Sequence, residues 1–490
     1  MRRSPSCPQR MEEWQWIALF PVAVVIGWGA LIAGARPILL ALLAGLLLYG
    51  VLLAVSIRQP LVFVTVFLVV LMILPPFYVS WLGAMPIYVS TLLVPIALAI
   101  LLLRLPERRF RLDPIATGLV LFLIGTGLSL PFAFLLSGNA IGTQSLFRWL
   151  LLAQTALIYA IIRTSGVGDS ARRVIPWLLI LAVVSAGYGI IDFFSPVPLP
   201  HPAADQFIWL ESEVMRRAQG VFYESCYFAN FCGFFLVVAS AALLAMQERV
   251  VRIGRFWLLA FIIILALADV FAFSRSAWTS VLLSLLVFSA ISKQVKIERE
   301  VVFLLVLGTA LTVVCLYVPE IWNYVVAVRL GDLTQIFTHP NLATSGRFDT
   351  WARVVSILQN HPQYLLFGIG YKTLPFTRLF HGEIITDNGY LSLTLETGAL
   401  GLGGFVIFCG SVFKTFFGLA RRRGGVVAFW SAVLFSFWCG ECLQMLAADA
   451  HTYWRNMIVF TALMAFTLNW AEKEPISQPS AATVQWEPAI

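Results

Sequence analysis

Phe222–Met246 reads FYESCYFANFCGFFLVVASAALLAM. One charged residue, Glu224, stands near its leading edge, and the rest, Asn230 and two tyrosines apart, is apolar or small. At 1.5 Å per residue a helix over this run crosses the hydrocarbon of a bilayer. Working outward in both directions, similar runs of about 18–22 residues recur. They fall near 14–35, 37–56, 61–82, 86–104, 114–136, 146–163, 174–194, then 255–273, 275–292, 300–318, 388–412, 425–446 and 454–471. The expected fold is therefore all-α, a polytopic transmembrane helix bundle of about 12–14 spans. Composition agrees: 60% of residues are hydrophobic and 12% charged, against about 25% charged in soluble domains.

The run at 14–35 follows Arg2, Arg3 and Arg10. It exceeds the roughly 7–15-residue apolar core of a secretory signal, so a retained span is expected. Arg2-Arg3 suggests a twin-arginine signal, but Glu12-Glu13 and the spans beyond favour a cytoplasmic anchor.

The formal charge of +8 does not call for nucleic acid, because of where the cations lie. With the N-terminus cytoplasmic, one side receives Arg58, Arg104–Arg111, Arg163, Arg172-Arg173, Arg249–Arg255, Lys293–Arg299, Lys414 and Arg421–Arg423. That is the pattern of basic cytoplasmic loops. The other side receives 137–145, 195–221, the turn Ser274–Ser276, a long polar segment and 447–453. Of the seven cysteines, six lie in or at apolar runs and Cys7 lies in the tail. Cys439-Gly440-Glu441-Cys442 lacks the soluble context of a redox motif, and helix packing is the expected role.

The long segment runs from Pro319 to Asp387. It cannot lie in lipid, where every backbone amide and carbonyl needs an internal partner. It gathers Arg347, Arg353, Lys372, Arg378, His361, His381, Glu383 and Asp387. Within it, Ser345-Gly346-Arg347 precedes Phe348, Trp351, Val354, Val355 and Leu358, an amphipathic helical stripe ended by Asn360-His361-Pro362. The chain thus divides into N-terminal transmembrane helices (1–218), a candidate catalytic region (219–410) containing the extracytoplasmic loop (319–388), C-terminal helices (411–471) and a disordered tail (472–490).

Arginine suits phosphate, which it grips bidentately at any relevant pH. Arg275 stands between two apolar runs with almost no loop, where a charge is costly. Arg347 opens the loop helix, and Arg217 is a third candidate. Salt bridging, for instance of Arg275 with Asp269, is the structural alternative. At Thr386-Asp387-Asn388-Gly389, Asp387 can take a proton, orient a hydroxyl or cap the next helix. His381 is a competing base with a reference pKa nearer neutrality. Asp192, Glu224 and Glu441 can line a cavity or simply hydrogen-bond between helices. Gly398-Ala-Leu-Gly401-Leu-Gly403-Gly404 follows no strand, so close helix approach is a better account than a dinucleotide site. No His/Cys set has zinc spacing. The loop carboxylates Asp332, Asp349, Glu383 and Asp387 would face competing arginines if they were to bind a cation. No metal and no cofactor are expected.

Phe273-Ser274-Arg275-Ser276-Ala277-Trp278, Gly346-Arg347-Phe348-Asp349-Thr350-Trp351, Phe367-Gly368-Ile369-Gly370 and Asp387-Asn388-Gly389-Tyr390-Leu391 leading to Glu396-Thr397-Gly398-Ala399-Leu400-Gly401 occur in this order. Together, over about Gln219 to Ile407, they resemble the O-antigen ligase and polymerase superfamily of bacterial membrane glycosyltransferases. The resemblance implies a glycan carried on undecaprenyl pyrophosphate and transferred to a glycan or lipid acceptor outside the bacterial cytoplasmic (inner) membrane. It implies that Arg275 and Arg347 hold the pyrophosphate; beside it, the residues themselves leave Arg217 as a third phosphate candidate and Asp387 or His381 to assist the acceptor. Membrane lipids and envelope polysaccharide assembly or chain-length proteins are the expected partners. Where ligases place a His before Asn, this chain has Asp387, which leans the expectation toward a polymerase over a ligase. A flippase or transporter is the rival from another class. It is disfavoured because no two similar halves are found and the charges crowd the outer face. A non-catalytic scaffold is a third possibility.

Overall fold

The computed structural model describes residues 35–79, 85–104, 112–165, 172–195, 206–209, 214–246, 248–292, 308, 341, 346–380, 384–422 and 425–473. The expected spans 14–35 and 300–318, apart from one residue each, lie outside these, as does the loop up to Ser345 apart from Asn341. So do His381, Glu383 and the tail after Lys473.

The architecture is an all-α polytopic bundle. Among the described residues, 6 helices are long and apolar enough to cross a membrane: Pro114–Ser137, Asn139–Ser165, Val174–Phe194, Ser225–Leu244, Gly389–Arg421 and Gly425–Gln444. The remaining described runs form helices at Ala35–Arg58, Pro60–Ile73, Val94–Arg104, Arg255–Phe271, Arg275–Ile291 and Trp454–Lys473. The run expected as one span at 61–82 stops at Ile73 because Pro75 and Pro76 cannot continue a helix. Its remainder makes a short antiparallel hairpin, Phe77–Val79 with Met85–Ile87. A second hairpin pairs Phe207–Trp209 with Val214–Arg216.

Burial identifies the centre. The Ser225–Leu244 helix is 89% buried along its apolar window, whereas Pro114–Ser137 and Gly389–Arg421 are 33% buried and form part of the rim. A polar tie pins the centre. Asn230 donates to Glu441 at 2.6 Å and to Gln444 at 2.9 Å, and Asn456 donates to the Asn230 side-chain oxygen at 2.7 Å. Three helices are thereby held in register by groups that have little else to bond in a dry core.

The glycine run after Gly398 brings helices together. A Cβ at Gly404 would stand 2.7 Å from the Leu121 carbonyl oxygen, and one at Gly125 would stand 2.4 Å from that of Leu400. Gly389–Arg422 and Pro114–Gly127 therefore pack backbone to backbone. At one end of the bundle Arg163 meets Asp113 at 2.9 Å and Glu472 at 2.6 Å, tying three helix termini. Arg58, Arg172, Arg173, Arg252, Arg255, Lys414 and Arg421 belong to the same end by the alternation of the spans.

The loop helix forms at Arg347–Asn360, with Gly346 at φ 80 before it and His361 after it. Its stripe does not bury evenly. Val354 is wholly buried in a small second core with Ile369, Leu374, Ile384 and Leu395, while Phe348 and Val355 stay exposed.

Candidate active site

The loops and helix ends opposite the basic end enclose a cavity of about 510 Å³. Its wall carries four cations, Arg148, Arg217, Arg347 and Lys372, and four carboxylates, Glu224, Asp387, Glu396 and Asp449. Each comes to the wall for a local reason.

Arg347 leads the loop helix and turns back on Asp387, with Nε and Nη2 each 3.2 Å from the same carboxylate oxygen. Asp387 is free to meet it because its neighbour does the capping. The Asn388 side-chain oxygen accepts from the Tyr390 and Leu391 amides, each at 3.1 Å. Asp387 has φ 44, a left-handed conformation that Asp and Asn tolerate better than most residues. Trp351 donates to the Thr386 carbonyl at 2.8 Å and fixes the loop helix over this turn.

Lys372 and Glu396 reach the wall through an interlock of two sequence motifs. The Ile369 amide donates to the Leu395 carbonyl at 3.1 Å, and the Gly370 amide donates to the Glu396 carbonyl at 2.9 Å. The crossing is so close that a Cβ at Gly368 would lie 2.2 Å from the Glu396 carbonyl carbon. Past it, the Glu396 carboxylate accepts the amides of Lys372 and Leu374, each at 3.0 Å. Lys372 extends to Asp449 at 2.6 Å, and Ser392 donates to the other Asp449 oxygen at 2.9 Å. Burial alone would lower the Lys372 ammonium, but Asp449 and Glu396 outweigh it and hold it above its ordinary value. Burial would raise Asp449, yet Lys372 pulls it below the ordinary carboxylate value. The pair therefore stays charged.

Arg148 projects from its helix to the Lys372 carbonyl at 3.1 Å and covers the Phe376 ring at 4.1 Å. Arg217 donates to the carbonyls of Ala272 at 2.9 Å and Phe273 at 3.4 Å. It thereby clamps the turn that leads into Arg275.

The structure thus brings Arg347, Asp387 and Arg217 into one cavity. Arg275 does not line it; it opens the Arg275–Ile291 helix two residues after the Phe273 carbonyl held by Arg217. His381 lies outside the described residues. Of the three acids left open by the sequence, Glu441 bonds Asn230 between helices, Asp192 pairs with Arg216 at 3.5 Å, and Glu224 lines the cavity. Sequence reasoning did not single out Arg148 or Asp449. An arginine inside an apolar run is the signal that would have found Arg148. Asp449 carries no such signal before its pairing with Lys372 is seen.

Residues 259–406 match the family model described as O-antigen ligase. The chain carries a domain of the O-antigen ligase-like superfamily. This O-antigen ligase-like domain supports membrane glycan processing of the ligase or polymerase type, and it holds Arg275, Arg347, Lys372, Asp387 and Glu396. Arg148, Arg217, Glu224 and Asp449 complete the same cavity from outside the matched residues. No curated protein matches the chain.

Proposed function

We infer that the protein is an inverting membrane glycosyltransferase that polymerises undecaprenyl pyrophosphate-linked oligosaccharide on the extracytoplasmic face of the bacterial inner membrane. One observation carries the reading: the O-antigen ligase-like domain places Arg347 and Lys372 on a cavity at the end of the bundle opposite the basic loops. The positive-inside rule makes that end extracytoplasmic.

The chemistry follows from the charges. As the anomeric carbon leaves pyrophosphate, negative charge grows on the phosphate oxygens, and preorganised guanidinium groups stabilise it. Arg347 is the chief such group, with Asp387 holding it in place until the diphosphate arrives. Arg217 keeps the neighbouring turn rigid, and Arg275, just beyond that turn, meets the diphosphate as it enters. The acceptor hydroxyl attacks the far face of the sugar. Asp387 in the place of a histidine favours chain extension over transfer to a lipid A core.

The test is the length profile of lipid-linked and surface glycan in a deletion strain carrying Arg347→Ala. Loss of a preorganised charge partner is expected to reduce product by about 10²–10³-fold with protein level unchanged. Normal product at normal protein level would refute the enzyme and leave a scaffold. Accumulation of unflipped precursor on the cytoplasmic side would indicate a flippase. Product attached to lipid A core with no change in chain length would indicate a ligase.

A further inference from the structure

Of the four carboxylates on the cavity wall, three are committed. Asp387 is held by Arg347, Asp449 by Lys372 and Ser392, and Glu396 by two backbone amides. Glu224 is different. Among the described residues its side chain makes no hydrogen bond or ion pair, although it lines the cavity.

Its sequence position makes this unexpected. Glu224 is the N-cap residue of the Ser225–Leu244 helix, yet its side chain makes no capping bond. Gln206 meets the helix's first amide from outside: its side-chain oxygen accepts the Ser225 amide at 2.9 Å. The Glu224 carbonyl still starts the helix, accepting the Tyr227 and Phe228 amides at 3.1 Å each. The backbone is therefore anchored to a deeply buried helix of the bundle while the carboxylate is left for something else. An acid held on a rigid element, relieved of its structural duty and facing a substrate-sized cavity has the attributes of a working group.

We propose that Glu224 is the general base that takes the proton from the acceptor hydroxyl. This rests on the glycosyltransferase reading. In the step, the acceptor O–H bond breaks and its proton passes to a Glu224 carboxylate oxygen. The acceptor oxygen forms its bond to the anomeric carbon. The bond from that carbon to the phosphate oxygen breaks, and its electron pair leaves with the pyrophosphate, stabilised by Arg347. Water then recovers the proton from Glu224.

The electrostatics suit the role. Burial raises the Glu224 carboxyl above its ordinary value, Asp449 and Asp387 push it further, and Lys372 and Arg217 draw it back. Tyr223 and Arg148 also face the same space. A raised carboxyl is a stronger base than a free one. Asp387, by contrast, shares its oxygen with a guanidinium that must keep its charge for the leaving group.

The test compares Glu224→Gln, Glu224→Asp and Arg347→Ala in the full-length protein. Glycan product is read in a complemented deletion strain, and undecaprenyl pyrophosphate itself serves as the binding probe for the purified protein. Glu224→Gln is expected to lower product by about 10²–10⁴-fold while probe affinity stays within about twofold, since loss of a base leaves phosphate contacts intact. Glu224→Asp is expected to restore part of the product and to move the acid limb of the rate in isolated membranes. Product from Glu224→Gln above a tenth of normal overturns the base assignment, as does loss of probe binding in that variant. If Glu224→Gln fails to accumulate, an acid limb with the same midpoint in wild type and Glu224→Asp overturns it equally. Any of these results leaves the wider reading standing so long as Arg347→Ala abolishes product; normal product from Arg347→Ala instead defeats the wider reading.

Discussion

Arg347 presents both Nε and Nη2 to a single oxygen of Asp387, at 3.2 Å each. The contact spans 40 residues of sequence and joins the start of the loop helix to the entry of the next span. It leaves the second Asp387 oxygen outside the pair and keeps the guanidinium aimed across the cavity. The ion pair is partly open to solvent, with side-chain exposures of 28% and 47%, so its contribution to stability is small. Its value lies in orientation.

Asp387→Asn therefore separates orientation from charge. Asparagine accepts the left-handed backbone that Asp387 adopts, and it keeps an oxygen for Arg347. The expected loss of product is about 10-fold or less. Asp387→Ala, which removes the acceptor, should lose about 10–100-fold, in line with roughly 1.5–3 kcal/mol for a hydrogen bond to a charged group. Both variants should accumulate normally, and glycan length profiles provide the comparison.

The Lys372–Asp449 contact differs in kind, since both side chains are largely enclosed, at 14% and 18% exposure. Removing one partner strands the other charge. Lys372→Met should destabilise the protein by about 3–5 kcal/mol, while the double variant Lys372→Met/Asp449→Leu should recover most of that loss. The signs of the shifts set the pH window. Lys372 is raised in the fold, so its contribution is complete below its unfolded value and fades as pH rises through the folded one. Asp449 is lowered, so its contribution is present above its unfolded value and fades as pH falls through the folded one. Thermal unfolding in detergent across pH should show the variant and wild type converging at both extremes.

Much of this was legible in sequence because lipid imposes harsh rules. Run length located the helices, and the spread of Arg and Lys separated the two ends. The Arg347 helix could be read from its stripe, and the closeness of the helices at Gly404 from the run of small residues. What could not be read depends on partners distant in the chain. Nothing in Thr386-Asp387-Asn388 says which side chain caps and which turns to Arg347, because both can do either. Nothing near Glu224 shows that its side chain makes no capping bond while Gln206 meets the Ser225 amide. Arg275 was paired in expectation with Arg347 through its cost in an apolar setting. Position at a helix start does not reveal which cavity a side chain serves. The hairpins were hidden because runs of three residues carry no periodicity.

The interlock of the loop with the Gly389–Arg422 helix predicts a sharp contrast between two glycines of one motif. Gly398 has φ 65, and a Cβ there would sit 2.3 Å from the Leu366 carbonyl. Gly398→Ala meets both a disfavoured backbone and an overlap, and should destabilise by about 2–4 kcal/mol. Gly403 has nothing within 4 Å of its added Cβ. Gly403→Ala should be neutral or stabilising by up to about 1 kcal/mol, as alanine replaces glycine inside a helix. Yield and melting temperature of the two purified variants give the comparison.

His451 supplies the last expectation. It is buried, and neither ring nitrogen has a hydrogen-bond partner among the described residues. Burial pushes it down to about 3; Asp449 opposes the shift and Lys372 adds to it. An unfolded histidine titrates near 6.5. Between those values the unfolded chain takes up a proton that the folded protein refuses, so stability is full above about 6.5 and declines as pH falls. Glu224 has the opposite sign, because its raised carboxyl binds a proton in the fold before it does in the unfolded chain. Asp449 acts only at lower pH. Glu396, raised to about 7 chiefly by burial, has the same opposite sign as Glu224, so the His451 effect is read as a difference: from pH 7 to pH 5 the wild-type melting temperature should fall relative to that of His451→Phe. In His451→Phe, which places an apolar ring beside Phe405, whose ring centre lies 6.3 Å from that of His451, the same range should bring no fall or a slight rise. Parallel curves for the two proteins would show that His451 is protonated inside the fold.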